Sequence, residues 1–89
     1  MRTLITQSTF RRDYKRMKRR HKNVSSLKAC IELLCAGKSL PVKMKPHKLI
    51  GKYAGYSECH IEPDWLLIYS FNEENLVLVR TGSHADLFE

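Results

Sequence analysis

Three histidines and one aspartate stand out in the second half of the chain because predicted strands leave them at exposed positions. They are His47 before the predicted sheet, His60 on a strand, Asp64 after that strand's end and His84 beyond the last strand. Histidine titrates near neutrality and can give or take a proton in a reaction. Arg80, the only cationic residue after position 52, ends an apolar run, and its planar guanidinium suits phosphoryl oxygens. These residue types predict acid–base chemistry beside a phosphate.

RNA is the substrate that such a set fits best. It carries its own nucleophile, the 2′-hydroxyl, beside every phosphodiester. Cleavage then needs a base, an acid and a cation for the charge that builds on phosphorus. The sequence leaves open which histidine is the base and which is the acid. Three aromatic residues are candidates for stacking on a base, namely Tyr56, Trp65 and Phe88, although Trp65 also suits a core position.

Metal-ligand motifs are incomplete. The run from His60 to Pro63 resembles the H-x-E…P of zinc deaminases, but those enzymes need a downstream P-C-x-x-C and no cysteine follows Cys59. Cys30 and Cys35 have the wrong spacing for a zinc knuckle, and they fall on an apolar stripe. We therefore expect neither a metal nor a cofactor.

Charge is divided unevenly along the chain. Residues 1–52 hold 15 Lys and Arg against Asp13 and Glu32, while residues 53–89 hold one arginine against seven acids. Eight of the cations fall within residues 11–22: Arg11, Arg12, Lys15, Arg16, Lys18, Arg19, Arg20 and Lys22. So dense a charge predicts a polyanionic partner, either nucleic acid or an acidic protein segment.

The first half of the chain has helical periodicity. A short strand is predicted over residues 2–6, and Ser8 or Thr9 is placed to cap a helix after it. The apolar stripe of that helix is narrow and consists of Phe10, Tyr14, Met17 and His21. A second amphipathic stripe runs from Val24 to Cys35 and ends at Gly37, which is typical of a helix end.

After residue 46 the apolar period changes to two, which indicates strands. A strand over residues 56–62 would place Cys59 in the core and His60 on the open face. A loop over residues 72–75 predicts a hairpin that pairs Tyr69 with Leu78 and Leu67 with Arg80. In that register the face of Leu66, Ile68, Val77 and Val79 is wholly aliphatic, and we expect it to pack on the helices.

The order β-α-α-β-β-β predicts one α+β domain over residues 1–89, with an antiparallel-rich sheet packed on two N-terminal helices. The longest apolar run, residues 65–69, is far too short to span a bilayer. Since no secretion signal is visible, we expect a cytoplasmic protein without membrane contact.

The residues also carry a specific resemblance. His47-Lys48-Leu49, the block from Gly55 to Tyr69 with H-I-E-P-D-W-L-L-I-Y, and Arg80-Thr81-Gly82-Ser83-His84 with Leu87-Phe88 closely resemble YafQ toxins of the RelE superfamily. The resemblance covers essentially the whole chain. Two positions depart from the family pattern, Lys48 where proline is frequent and Ser57 where arginine is frequent.

The resemblance implies a bacterial toxin with a microbial-ribonuclease-like (RelE-like) fold that cleaves mRNA on the ribosome. It implies as partners ribosomal RNA, a small antitoxin from an adjacent gene and, through the antitoxin, operator DNA. By residue, it implies that toxicity depends on His47, His60, Asp64, Trp65, His84 and Phe88, with Arg80 supporting the phosphate. Two alternatives stay open: a basic RNA- or ribosome-binding module without chemistry, and a catalytically weak toxin homologue.

Overall fold

Five strands form one mixed sheet in the computed structural model, which describes all 89 residues. The strands are β1 (Thr3–Thr6), β2 (His47–Lys48), β3 (Ser57–Glu62), β4 (Trp65–Phe71) and β5 (Asn75–Gly82). The helices are α1 (Ser8–Arg19), α2 (Val24–Cys35) and α3 (His84–Phe88). The predicted α+β class is confirmed, while the two-residue strand β2 and the short helix α3 were not predicted.

The sheet order is β1-β5-β4-β3-β2. Strands β3, β4 and β5 form an antiparallel meander, β2 is antiparallel to β3, and β1 joins β5 in parallel. The two helices between β1 and the meander supply the connection that a parallel pair requires. The predicted antiparallel-rich sheet with two N-terminal helices on it is therefore correct.

The main core lies between the sheet and helices α1 and α2. Its buried members from the helices are Phe10, Met17, Leu27, Cys30 and Leu34, and those from the sheet are Cys59, Trp65, Leu67, Tyr69, Leu76 and Leu78. The helices thus cover the face with the aromatic residues, so the prediction that they cover the aliphatic face is wrong. Trp65 can be buried there because its indole N–H donates to the Thr81 hydroxyl at 2.8 Å, which satisfies its polar atom internally.

A β-bulge changes the register of the β4–β5 hairpin. Phe71 pairs with Leu76 and Tyr69 with Leu78, as the loop length predicts, but the register then shifts and Ile68 pairs with Arg80. The predicted pairing of Leu67 with Arg80 is therefore wrong. One extra residue in a strand moves the following side chains to the other face, and this places Arg80 away from Trp65.

Beyond the end of β1, side chains of helix α1 form the hydrogen bonds along the edge of β5. The Thr9 hydroxyl donates to the Val79 carbonyl at 2.7 Å, and the Asp13 carboxylate accepts the Thr81 amide at 3.3 Å. Neither Ser8 nor Thr9 caps the helix, whose N-cap is Gln7 without a side-chain bond. Because an unpaired buried strand edge is costly, the Thr9 hydroxyl satisfies the sheet instead of the helix terminus.

A second, smaller core lies on the opposite face of the sheet. Leu66, Ile68 and Val79 pack there against Leu87 of α3. The chain between β2 and β3 adds three partly buried residues to this core, namely Leu49, Tyr53 and Tyr56. This outer core supports α3, and with it the C-terminal residues that were predicted to act in chemistry.

Candidate active site

Helix α3 is fixed in place by its contacts with β5 and with the end of α1. Ser83 and Asp86 form a capping box, in which the Ser83 amide donates to Asp86 at 2.9 Å and the Asp86 amide donates to the Ser83 hydroxyl at 3.1 Å. Arg20, at the end of α1, donates to both oxygens of Asp86, at 2.6 and 3.0 Å. A Cβ at Gly82 would lie 2.9 Å from the Asp86 side chain, so the close approach of α3 to β5 requires glycine. The first residue of this helix, His84, is thereby held at a defined position.

Asp64 holds His84 through two hydrogen bonds. The backbone amide of His84 donates to Asp64 Oδ1 at 3.0 Å, and its ring nitrogen Nδ1 lies 2.9 Å from the same oxygen. These bonds from His84, first the backbone one and then the ring one, hold the pKa of Asp64 below its ordinary value. An ionised carboxylate only accepts, so the ring proton belongs on Nδ1 and the lone pair on Nε2. The His84 side chain is 54% exposed, and its Nε2 atom has no hydrogen-bond partner within the protein.

His60 lies beside this pair on β3. Its ring centre is 6.0 Å from that of His84, and its Nδ1 lies 3.2 Å from the Pro63 carbonyl oxygen. A carbonyl only accepts, so His60 also carries its proton on Nδ1. The structure thus brings His60, Asp64 and His84 together on the outer side of the sheet.

Aromatic rings continue the surface from His84. The Phe88 ring is 6.2 Å from that of His84 and 46% exposed, and it meets the Tyr53 ring edge-on at 5.8 Å. Tyr53 meets Tyr56 in turn, with ring centres 6.4 Å apart. The structure thus brings Phe88 and Tyr56 into one row of rings beside His84, and Tyr53 is a member of that row that the sequence reasoning missed. The predicted stacking role of Trp65 is wrong for this conformation, because its ring is fully buried under the helices.

Arg80 is largely committed to a partner inside the fold. Its guanidinium forms an ion pair with Asp13 of α1, a fully buried residue, and its Nη1 donates to the Tyr53 hydroxyl at 3.5 Å. The hydrogen bond to Asp13 raises the pKa of Arg80 above its ordinary value. Sequence reasoning missed Asp13, although a lone acid within a basic helix was a usable signal.

His47 lies on β2, opposite Glu58 of β3. Its Nε2 is 2.9 Å from Glu58 Oε2, and its Nδ1 is 2.7 Å from the Lys45 carbonyl oxygen. Both ring nitrogens therefore have protein partners, in contrast to those of His84. Glu58 was assigned by its alternation to the open face, but it is buried beneath that face.

The basic helix is only partly available to a partner. Arg16 and Arg20 contact Asp86, Lys22 lies 3.6 Å from Glu62, and Arg11 donates to the Thr6 carbonyl. Four of the eight predicted contact residues are exposed and form neither an ion pair of 3.6 Å or less nor a hydrogen bond within the fold: Arg12, Lys15, Lys18 and Arg19. The free positive surface is therefore smaller than the sequence suggests.

A cavity of about 430 Å³ opens next to His60. Residues 43–45 form one wall, with two lysines, and residues 60–63 form the other. The structure contains no group of three or more His, Cys, Asp or Glu side chains placed to hold a metal ion. None of its helices has the length and apolar content needed to cross a membrane.

The layered α+β fold, with a histidine–aspartate pair on the outer side of its sheet, defines a small protein of the RelE-like class. Residues 2–89 match the family described as bacterial toxin of type II toxin-antitoxin system, YafQ. The chain belongs to this YafQ toxin family.

Individual relatives agree with this assignment. The mRNA interferase toxin YafQ of Escherichia coli K12 is 41% identical over 80 residues, which are 89% of this chain and 87% of the relative. A crystal structure of YafQ from E. coli BL21(DE3) superposes with a TM-score of 0.94 at 37% identity, over the whole of both chains. A chain from the crystal structure of an E. coli DinJ-YafQ complex superposes with a TM-score of 0.92 at 38% identity, again over the whole of both chains. A second crystal structure of E. coli DinJ and YafQ is described as a toxin-antitoxin complex.

Proposed function

We propose that this chain is an mRNA interferase, an endoribonuclease toxin that cleaves messenger RNA on the ribosome. The observation that carries the proposal is the Asp64–His84 pair, in which the carboxylate orients the imidazole and leaves Nε2 free on an exposed surface. The related E. coli protein is named an mRNA interferase toxin, and the family is one of type II toxins. Messenger RNA supplies the nucleophile, so the protein needs only to move protons and stabilise charge.

In the proposed reaction, His84 Nε2 exchanges a proton with the RNA while Asp64 stabilises the imidazolium that forms. The 2′-oxygen attacks phosphorus, the bond from phosphorus to the 5′-oxygen breaks, and that oxygen leaves with a proton. His60, whose ring lies 6.0 Å from that of His84, is placed to serve the other proton transfer. The products are a 2′,3′-cyclic phosphate and a 5′-hydroxyl.

Arg80 supports the phosphate in this proposal with the part of its guanidinium that Asp13 does not occupy. Its side chain is 17% exposed, and the ion pair with Asp13 holds the guanidinium plane beside the Tyr53 hydroxyl. A cation that is already oriented stabilises developing charge without reorganisation. Phe88 and Tyr56 offer exposed or partly exposed ring surface on which an unpaired base stacks.

The partners follow from charge. We propose that the free cations of α1 contact ribosomal RNA, because phosphate contacts are numerous and independent of sequence. An acidic antitoxin, encoded beside the toxin, would neutralise the protein and link it to operator DNA. This scheme places the toxin in the bacterial cytoplasm, where ribosomes are found.

The direct test incubates the purified chain with ribosomes that carry a defined mRNA, and then maps the ends of the products. We expect cleavage that requires the ribosome and upstream fragments that end in a cyclic or 3′-phosphate. Removal of trace transition metals with a chelator that leaves ribosomal magnesium in place should not change the rate. Fragments with a 3′-hydroxyl, or activity lost with the chelator, would contradict the proposed chemistry.

A further inference from the structure

The cleft of about 430 Å³ beside His60 has no part in the reaction proposed above. Its first wall is the single-turn 3₁₀ helix Val42–Met44 together with Lys45, and its second wall is the end of β3 with Pro63. The cleft can form because β2 pairs only with the first two residues of β3, which leaves the rest of that strand edge without a neighbouring strand. A volume of this size is within the range of small-molecule sites, so the cleft has room for a small organic group.

The two walls of the cleft carry opposite charges. Lys43 and Lys45 lie on the first wall, exposed and without an ion pair, and Glu62 lies on the second. The Glu62 side chain is 35% exposed, and its one ion pair, at 3.6 Å, is with Lys22 of the α1–α2 turn rather than with a lysine of the cleft. The cleft therefore suits a ligand that offers an anion to one wall and a hydrogen-bond donor to the other.

A nucleotide meets both requirements. Its phosphate is the anion, and the exocyclic amino group of adenine, cytosine or guanine is the donor. Met44 and Ile61, which also pack on the main core, supply apolar surface in the cleft for the flat face of a base. An acidic peptide fits less well, because Glu62 would repel its carboxylates. Uracil also fits less well, because it has a carbonyl oxygen where cytosine has its amino group and would face the carboxylate with an acceptor.

The cleft lies next to the groups that are proposed to transfer protons. His60 lines it, and the His60 ring centre is 6.0 Å from that of His84. The Pro63 carbonyl oxygen, 3.2 Å from His60 Nδ1, belongs to the same wall. A nucleotide bound in the cleft is therefore close to the phosphate that the histidines attack.

We propose that this cleft binds one nucleotide of the mRNA next to the scissile phosphate. Lys43 and Lys45 contact the phosphate of that nucleotide, and Glu62 accepts a hydrogen bond from the amino group of its base. The cleft thereby selects adenine, cytosine or guanine over uracil at one codon position. The inference rests on the proposed ribonuclease function, and it adds the class of base that is selected and the residues that contact it.

The first experiment titrates the free toxin with cytidine 5′-monophosphate, uridine 5′-monophosphate or inorganic phosphate and follows its backbone amide signals by NMR. We expect the cytidine nucleotide to shift the signals of residues 43–45 and 60–62. It should bind about 10-fold more tightly than the uridine nucleotide, as one hydrogen bond to a charged group predicts. Equal affinities for the two nucleotides, or the same shifts with inorganic phosphate alone, would overturn the proposal.

Two variants identify the group that contacts the base. Glu62→Ala should bind the two nucleotides equally, because the acceptor is removed. Lys22→Ala breaks the same ion pair but keeps the carboxylate, so it should retain the difference between the nucleotides. Loss of the difference in both variants would mean that the ion pair only maintains the local structure, and the proposed base contact would be wrong.

The second experiment measures cleavage of ribosome-bound mRNAs that carry cytosine or uracil at one codon position at a time. Wild type should cleave the cytosine-containing mRNA about 10-fold faster at one position, and Glu62→Ala should lose this preference. Lys43→Ala with Lys45→Ala should lower kcat/KM about 10-fold by loss of two phosphate contacts, and more than Lys28→Ala with Lys38→Ala, two exposed lysines that do not line the cleft. A preference that Glu62→Ala retains, or equal losses in the two lysine pairs, would overturn the proposal. The titration needs no cleavage, so it decides the inference even if wild type fails to cleave mRNA.

Discussion

At the scale of single residues, the site separates its histidines by their partners. His84 and His60 each have one ring nitrogen occupied, by Asp64 and by the Pro63 carbonyl, so each retains a free nitrogen. His47 has both nitrogens occupied. On this difference we propose direct proton transfer for His84 and His60.

The direct role of His84 is tested by His84→Ala. Removal of a general acid or base lowers the rate of cleavage by roughly 10²–10⁴, and ribosome binding should not change. A suitable control is His21→Asn, because His21 lies outside the site at a φ of +60° that asparagine tolerates. If His84→Ala cleaves at the wild-type rate, the assignment of His84 to proton transfer is wrong.

Substitution of Asp13 or Glu32, the two acidic residues within the basic residues 1–52, gives a second matched pair of variants. Asp13 is fully buried with Arg80 and the Thr81 amide, whereas Glu32 is exposed on α2. Asp13→Ala should lower the free energy of unfolding by about 3 kcal/mol, because it leaves a largely buried guanidinium without its partner. Glu32→Ala should change it by less than about 0.5 kcal/mol. Urea denaturation measures both, and equal midpoints would contradict a structural Asp13–Arg80 pair.

At the scale of elements, α3 depends on a salt bridge to a distant helix. With only five residues, it is too short to be stable by itself, and the Arg20–Asp86 bond joins it to the end of α1. The same helix carries His84 and Phe88, so the position of the site is set partly by a contact outside it. Arg20 thereby contributes to the position of α3 from inside the fold.

This contact predicts a pH dependence of stability. The hydrogen bonds from Arg20 hold the pKa of Asp86 well below its ordinary value. A lowered carboxyl pKa adds stability that is complete above the ordinary value of about 4 and is lost as the pH falls below it. The melting temperature of wild type should therefore exceed that of Asp86→Asn by a constant amount at neutral pH, and the gap should narrow below about pH 4. The control variant Glu73→Gln, in the exposed β4–β5 turn, should have the same melting temperature as wild type at each pH. A gap that persists unchanged at low pH would contradict the role of Asp86.

At the scale of the whole molecule, charge and chemistry are separated. The free cations lie on α1, which covers one side of the sheet, and the histidines lie on the other side with α3. We therefore expect that ribosome affinity and mRNA cleavage can be changed independently by substitution.

The charge reversal Lys18→Glu with Arg19→Glu tests this separation. Both side chains are exposed, so the fold should be retained. Ribosome affinity should fall, and its dependence on salt should become shallower by about one unit of slope per lost phosphate contact. Lys28→Glu with Lys38→Glu makes the same change in net charge elsewhere on the surface and should have less effect. Equal losses in the two variants would mean that only net charge matters, and α1 would not be the docking surface.

The sequence by itself determined the class of fold, the strands β3 to β5, the helices α1 and α2, and the residue types of the site. These depend on local patterns: periods of 3.6 and of two, the Gly37 helix end with its φ of +71°, and the loop that starts the hairpin. The resemblance carried by H-I-E-P-D-W and R-T-G-S-H identified the family. Local patterns also separated the basic half from the acidic half.

Only the tertiary structure decided which face of the sheet the helices cover, where Arg80 points and how each histidine is held. The bulge adds one residue to β5. The sequence periodicity of the strand does not reveal this residue, although it moves Arg80 to another register position. The burial of Trp65 depends on Thr81, sixteen residues away, and Arg80 meets Asp13 from the other end of the chain. Partners so distant in sequence are chosen by packing and by the need to satisfy buried polar groups, which act only when the chain is folded.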